Sequence, residues 1–191
     1  LLQLFNSKSP GRNHKFLAQL ARSGLASVFI TTNFDTLIEQ AFHEAGVSFQ
    51  LYYTDEDLKA VDFKENTVQL IKLHGCVSDP KNLAVTIRDV ANQRMLDRRS
   101  KLLRALFTHP KFSSTIVLGY SRSDRFDINP SIDNAANQIH KVFLIDHCVD
   151  PSKNTCTLTL MGNREFHPFN GYDGSVIRCD TDELISALWA K

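Results

Sequence analysis

The sequence predicts an α/β protein in which a mostly parallel sheet is covered by helices on both faces. Short β-branched, apolar runs, such as residues 28–30 and 68–71, alternate with segments whose apolar residues recur at helical spacing. Such alternation is typical of parallel sheets joined by crossover helices. The length of 191 residues is enough for one domain with a sizeable core, so we expect a single domain over residues 1–191.

Each element is predicted from apolar spacing and from its end signals. Helices are expected from the Pro10-Gly11 turn to Gly24, from Leu37 to Gly46, over 88–108 before Pro110, from Asn129-Pro130 to Ile139, and from Thr181 onward. Strands are expected at 26–31, 49–53, 68–73, 83–87, 115–118, 142–145 and 175–178. Residues 55–65 are expected to form a polar loop or a short helix, and 150–174 have no assignment.

The last predicted helix has its own capping and packing signals. The Thr181 hydroxyl is a good cap for its first turn. Leu184, Ile185 and Leu188 are expected to face the core, and Trp189 is expected to anchor the helix by packing.

Composition makes several classes of function less favoured. The net charge is +1 with no long basic run, which disfavours a surface that reads nucleic-acid phosphates. No stretch approaches the roughly 20 apolar residues of a membrane span, and no secretory leader is visible. The four cysteines form no C-x-x-C pair, so we expect reduced thiols, no structural zinc and a cytoplasmic location.

The first residues indicate that the domain is incomplete at its N-terminus. Residues 1–5 already lie inside an apolar helical pattern, without a starting Met. We therefore expect the chain to begin within a longer protein, in which further domains are possible.

Two short motifs follow predicted strands. Thr31-Thr32-Asn33-Phe34-Asp35 comes after the first apolar run, and Lys72-Leu73-His74-Gly75 comes after the second. Ligands of open α/β sheets bind just beyond the carboxyl ends of the strands. Taken singly, Asn33 and Asp35 could merely cap the next helix, and His74 could be a hydrogen-bonded structural residue. Together they predict polar chemistry on a small molecule.

The ordered set of motifs resembles the sirtuin-like (SIR2-like) family. The set comprises residues 13–20, residues 30–39, Leu73-His74-Gly75 and Leu118-Gly119-Tyr120-Ser121 with the three residues after it. The resemblance covers residues 10–145, with a final strand and helix at 176–188. It is closer to the prokaryotic defence-associated branch than to the protein deacylases, and it implies a Rossmann-like fold that binds NAD.

The resemblance also implies roles for individual residues, with NAD as the substrate and no metal. Asn33, Asp35 and His74 match the catalytic residues: an asparagine at the nicotinamide ribose, an aspartate near the nicotinamide amide, and the catalytic histidine. The matching NAD-contacting positions are Thr32, Phe34, Gly119, Tyr120, Ser121, Asp146, Asp180 and Thr181. Among these, the resemblance places Asp146 against the adenosine ribose and Asp180 and Thr181 near the adenine.

Three departures from the family pattern narrow the expected activity. The Gly-Ala-Gly-x-Ser loop that cradles the pyrophosphate is absent, so this chain alone is expected to bind NAD poorly. The paired C-x-x-C zinc knuckles of the deacylases are also absent, and a charged segment over 88–101 stands between His74 and Gly119. Thr32 occupies a position where deacylases carry glutamine.

Three functions follow from these observations. The first is an NAD⁺ glycohydrolase that releases nicotinamide and ADP-ribose, acting as an anti-phage defence effector and assembling as a homo-oligomer. The second is NAD-dependent ADP-ribosyl transfer or protein deacylation. The third is a module that binds NAD or ADP-ribose without turnover.

Overall fold

The computed structural model describes residues 9–83, 93–121, 128–136, 139–148, 157–160 and 168–189. The helices are α1 (Arg12–Arg22), α2 (Leu37–Glu44), α3 (Asp55–Ala60), α4 (Gln93–Thr108), α5 (Ile128–Asn134) and α6 (Thr181–Trp189). The strands are β1 (Val28–Thr31), β2 (Phe49–Tyr52), β3 (Val68–Lys72), β4 (Ser114–Leu118), β5 (Lys141–His147), β6 (Thr157–Leu160) and β7 (Asp173–Cys179). The chain divides into two compact units, Leu1–Met95 and Leu96–Lys191.

The first unit contains a three-stranded parallel sheet in the order β1-β3-β2. Its core is centred on Phe42 of α2, which is fully buried and meets Phe29 and Phe49 edge to face at 5.1 and 5.2 Å between ring centres. The central strand β3 buries four of its five residues. Because all three strands run in the same direction, their carboxyl ends meet at one edge of the sheet.

The second unit contains a four-stranded sheet in the order β4-β5-β7-β6. Strands β4, β5 and β7 are parallel, and β6 runs antiparallel to β7. Gly174 lets β7 approach β5 closely, because its φ is +152° and a Cβ there would lie 1.9 Å from the Val142 carbonyl oxygen. The buried residues Leu144 and Val176 lie on these two strands, and Ile185 of α6 is also buried.

These parallel-rich sheets with flanking helices confirm the predicted α/β, Rossmann-like class. Residues 157–160 form β6, within the stretch 150–174 that has no predicted assignment. Helix α5 begins at Ile128, one residue before the predicted cap Asn129, and ends at Asn134 rather than Ile139. The predicted strand over 83–87 lies outside the described residues except for Leu83, which follows a short 3-10 helix at Pro80–Asn82 and is not in a strand.

Two predictions for helix α6 are wrong: the residue that caps it and the packing of its last residues. Its first turn is capped by Asp180 rather than by the Thr181 hydroxyl, because Asp180 Oδ1 accepts from the amides of Asp182 and Glu183 at 2.8 and 3.2 Å. Ile185 is buried as expected, but Leu188 is 54% exposed and Trp189 is 45% exposed. The end of this helix is therefore not anchored by packing.

In the described part of the chain, no helix combines the length and the apolar character that crossing a membrane requires. Cys76, Cys148 and Cys179 are free thiols. Cys156 lies outside the described residues.

Candidate active site

The loop after β1 carries the first motif. Its backbone is held locally, since the Asn33 amide donates to Thr31 Oγ1 at 3.0 Å. Asp35 Oδ1 accepts from the Leu37 amide at 3.0 Å, at the start of α2. Asn33 is exposed and Asp35 is half-buried. The Asp35 carboxylate thus does serve the helix start, as a capping residue would.

The turn after β3 carries the second motif. His74 is nearly buried, with 9% of its surface exposed. Gly75 follows with φ of +87°, and a Cβ there would lie 2.2 Å from the Asn82 carbonyl oxygen. Only glycine combines this left-handed backbone with so close an approach. The glycine of the motif is therefore required by the turn that presents His74.

Hydrogen bonds join the two segments at one edge of the sheet. The Leu73 amide donates to the Thr31 carbonyl oxygen at 2.9 Å, which extends the β1–β3 pairing beyond the strands. The Val77 amide donates to the Phe34 carbonyl oxygen at 2.8 Å. The backbones that carry Asn33, Asp35 and His74 are therefore directly connected to each other.

Beneath these loops lies a buried polar group that the sequence analysis missed, here termed the Lys72 cluster (Lys72, Glu39, Cys76 and Ser78). The Lys72 ammonium donates to the Asp35 carbonyl oxygen, to Glu39 Oε1 at 2.6 Å and to Cys76 Sγ at 3.5 Å. Ser78 Oγ donates to Cys76 Sγ at 3.0 Å. A glutamate on the apolar face of α2 and a lysine ending a buried strand were the signals available in the sequence.

Tyr53 adds an aromatic hydroxyl at the same edge, directly after β2. Burial raises the pKa of its phenol, and the nearby Asp79 carboxylate raises that pKa further. The hydroxyl therefore stays protonated at neutral pH, where it can donate a hydrogen bond. The sequence analysis placed Tyr53 in a strand and gave it no role.

In the second unit, the residues of the predicted NAD-binding turn follow β4. Gly119 is exposed, with φ of +66°, and no atom of the described residues lies within 4 Å of where a Cβ would stand. The Tyr120 hydroxyl donates to Asn129 Oδ1 at 2.6 Å, and Ser121 is exposed. The charged residues that follow this turn lie outside the described residues.

The remaining predicted residues lie at the carboxyl ends of β5 and β7. Asp146 Oδ2 lies 3.8 Å from the guanidinium of Arg178, its partner in the strand register. Asp180 caps α6, and the buried Thr181 hydroxyl lies 3.0 Å from His147 Nδ1. Because β4, β5 and β7 are parallel, these residues and Gly119 share one edge of their sheet.

The predicted site residues thus form two groups, each at the carboxyl edge of one sheet. The first group offers an imidazole, a carboxylate and an amide, which can order water and accept a proton. Among the described residues, no three histidine, cysteine, aspartate or glutamate side chains are grouped so that they could hold a metal ion.

Two comparisons with known proteins bear on the family of this chain. A curated relative, the NAD(+) hydrolase ThsA of Bacillus cereus (strain MSX-D12), is 28% identical over 131 residues. The match covers 69% of this chain and 25% of the relative, so the chain spans about a quarter of that protein's length. The sequence model of the SIR2-like domain matches residues 27–159, more than half of the chain. The chain belongs to the family of SIR2-like domains.

Proposed function

We propose that this chain is the catalytic domain of an NAD⁺ glycohydrolase. Its substrate is NAD⁺ and its products are nicotinamide and ADP-ribose. The family membership supports an NAD-related role, and the relative is named as an NAD⁺ hydrolase.

The observation that carries the proposal is the connection of the two motifs at the carboxyl edge of β1 and β3. The Val77–Phe34 and Leu73–Thr31 hydrogen bonds bring the His74 turn against the Asn33–Asp35 loop. That edge is where open α/β sheets bind their ligands. A nearly buried imidazole on one of these segments and an exposed amide on the other suit a reaction that needs an ordered water and a base.

Because nicotinamide leaves as a neutral molecule, its departure needs no general acid. The bond between the ribose C1 and the nicotinamide nitrogen breaks, and its electron pair stays on that nitrogen, which leaves as neutral nicotinamide. Positive charge develops on the sugar, as in other glycosyl transfers. A water oxygen bonds to C1, and its proton passes to the His74 imidazole. Asn33 orients the water, and Asp35 contacts the departing amide.

The other residues that match NAD-contacting positions of the family are proposed to have the contacts that the resemblance implies. Thr32 and Phe34 line the nicotinamide end beside Asn33. Gly119, Tyr120 and Ser121 contact the phosphates and ribose, Asp146 the adenosine ribose, and Asp180 and Thr181 the adenine. In a cell, this activity would deplete NAD⁺, which fits a cytoplasmic, homo-oligomeric effector of antiviral defence.

The test uses the natural full-length protein that contains this sequence, incubated with NAD⁺. We expect nicotinamide and free ADP-ribose in equal amounts. ADP-ribose attached to protein, or to an acyl group, would replace the proposal with a transfer reaction. Binding of NAD⁺ with no nicotinamide released would replace it with a module that binds without turnover.

A further inference from the structure

The Lys72 ammonium contacts three separate parts of the first unit. Its acceptors are the main-chain oxygen of Asp35 in the β1–α2 loop, the carboxylate of Glu39 in α2, and the thiol sulfur of Cys76 in the turn after β3. An ammonium has three hydrogens to donate. Three acceptors on three segments therefore match its full donor capacity.

This contact is enclosed by protein. The side chain of Lys72 is 1% exposed and that of Glu39 is 9% exposed. Cys76 is fully buried, and its thiol lies 3.7 Å from Glu39 Oε1. Water therefore screens this ion pair much less than it screens a surface pair. Glu39 Oε2 is also buried and has no hydrogen-bond partner in the described part of the chain.

Burying two charges costs free energy because both lose their hydration. A buried pair therefore calls for an explanation other than stability. Replacing a buried ion pair by apolar residues is often neutral or stabilising, so the pair itself is weak evidence for stability. What these charges do provide is a fixed geometry. Lys72 and Cys76 lie two residues before and two residues after His74, and the third contact of the ammonium is the backbone of Asp35.

We propose that Lys72, paired with Glu39, is a positioning residue that fixes the backbone of Asp35 relative to the turn of His74. The tests of this inference that measure enzyme activity rest on the proposed function. It assigns no contact between Lys72 and the substrate, since the side chain is closed off beneath the loops. Misplacing reacting groups by about 1 Å can cost 10²-fold in rate.

The decisive variant is Lys72→Met in the full-length protein, with nicotinamide release as the readout. Methionine keeps the apolar length of the side chain and removes all three donors. We expect kcat to fall about 10²-fold and KM to change less than about threefold, because the loss lies in the geometry of the reacting state. Lys59→Met is the matched control, since it removes an exposed ion pair with Glu56 on α3. An unchanged kcat in Lys72→Met overturns the inference.

A double variant separates positioning from folding. Lys72→Met alone strands a buried carboxylate, so its melting temperature should fall by about 10 °C. Lys72→Met combined with Glu39→Leu removes both charges and should recover most of that loss. The double variant should nevertheless keep the low kcat, because nothing then holds the Asp35 carbonyl. Recovery of kcat together with the melting temperature would assign the pair a structural role only.

Amide hydrogen exchange provides an arm that does not depend on turnover. The Leu37 amide reports the Asp35 side chain, and the Val77 amide reports the junction with Phe34. In the stabilised double variant, both amides should exchange at least about tenfold faster than in the wild type, while the buried strand amides of Leu70 and Ile71 stay protected. Equal exchange in the two proteins overturns the inference. If the wild type releases no nicotinamide, the proposed function fails. Amide hydrogen exchange alone then decides whether Lys72 positions the Asp35 backbone.

Discussion

The two sheets place candidate residues at the same kind of edge but hold them in different ways. In the first unit, the segments of Asp35 and His74 are connected through a buried ammonium and through long-range backbone hydrogen bonds. In the second unit, Asp180 caps its own helix and Asp146 faces a neighbouring arginine. The first edge depends on an enclosed charged contact, in which Lys72 is 1% exposed, whereas the ion pair at the second edge is open to solvent, with Arg178 62% exposed.

This difference suggests a division of labour. A reaction needs groups held within a fraction of an ångström, which a buried multi-segment contact can provide. Binding of a nucleotide tolerates looser support, because its contacts are many and individually weak. We therefore expect substitutions at the first edge to change the chemical step, and substitutions at the second edge to change affinity or local stability.

The largest effect is expected at His74 and Asn33. In the full-length protein, His74→Ala or Asn33→Ala should reduce nicotinamide release by about 10²–10⁴-fold, because each removes a group that handles or orders the attacking water. Release is measured by chromatography, and circular dichroism checks the fold. His43→Ala, at an exposed histidine on α2, is the control and should turn over like the wild type. Wild-type turnover in the His74 variant would refute its role as the base.

A matched glycine pair compares the backbones of the two edges. Gly75→Ala should destabilise the protein by about 3–5 kcal/mol, because strain adds to a clash with the Asn82 carbonyl. Gly119→Ala should cost only about 1–2 kcal/mol, since its left-handed backbone is strained but nothing lies near the new methyl group. Chemical denaturation measures both. Equal losses in the free energy of unfolding would show that the contact with the Asn82 carbonyl adds nothing to the cost of an alanine at Gly75.

A buried histidine makes the second unit sensitive to acid. Burial lowers the pKa of His140, whose Nε2 lies 2.8 Å from Thr115 Oγ1. The unfolded chain takes up this proton near the ordinary pKa of 6.5, whereas the folded protein resists protonation. The free energy of unfolding should therefore fall as pH drops from 6.5 to the lowered pKa, and be constant above 6.5 as far as this group is concerned.

His140→Gln tests this dependence, because glutamine keeps a polar side chain that does not titrate. Denaturation at a series of pH values should show a shallower acid slope in the variant than in the wild type. An identical slope in the two proteins would assign the acid sensitivity to other groups.

The smallest effect is expected at Asp180. Asp180→Ala removes the cap of α6 and should cost about 1 kcal/mol, while Asp180→Asn keeps the cap and should cost little. If Asp180 also contacts the adenine, both variants should raise the KM for NAD⁺ and leave kcat unchanged. A fall in kcat in Asp180→Asn would break the proposed division between the two edges.

Much of the fold could be predicted because local signals agreed with the tertiary structure. Alternating apolar runs and helical spacing identified six of the seven strands of the described residues and helices α1 and α2, while α3 lies in the stretch 55–65 that was left open as a polar loop or a short helix. Strand β6 received no assignment because its four residues lie within a stretch rich in Asn, Gly and Pro. Residues 157–160 do alternate Thr and Leu as a strand would, but the run is short, and its pairing with β7 makes it a strand.

The motifs of the candidate site could be predicted from the sequence, but the buried Lys72–Glu39 pair beneath them could not. Asn33, Asp35 and His74 stand out because polar residues follow buried strands. Lys72 and Glu39 belong to separate elements, and only the parallel register of β1 and β3 brings Lys72 opposite Thr31. No spacing rule within one element predicts such a pair. The two charges on otherwise apolar surfaces were visible, but a surface location explained them equally well.

The shared ammonium also constrains how this sequence can diverge. A lineage that loses the lysine at position 72 leaves the carboxylate at position 39 buried without its counter-charge, so the two positions should change together. Asp35 contributes only a main-chain oxygen to that contact, and its side chain should vary independently of the pair. Covariation of positions 39 and 72 among related sequences would thus indicate that the ion pair is retained, without any assay.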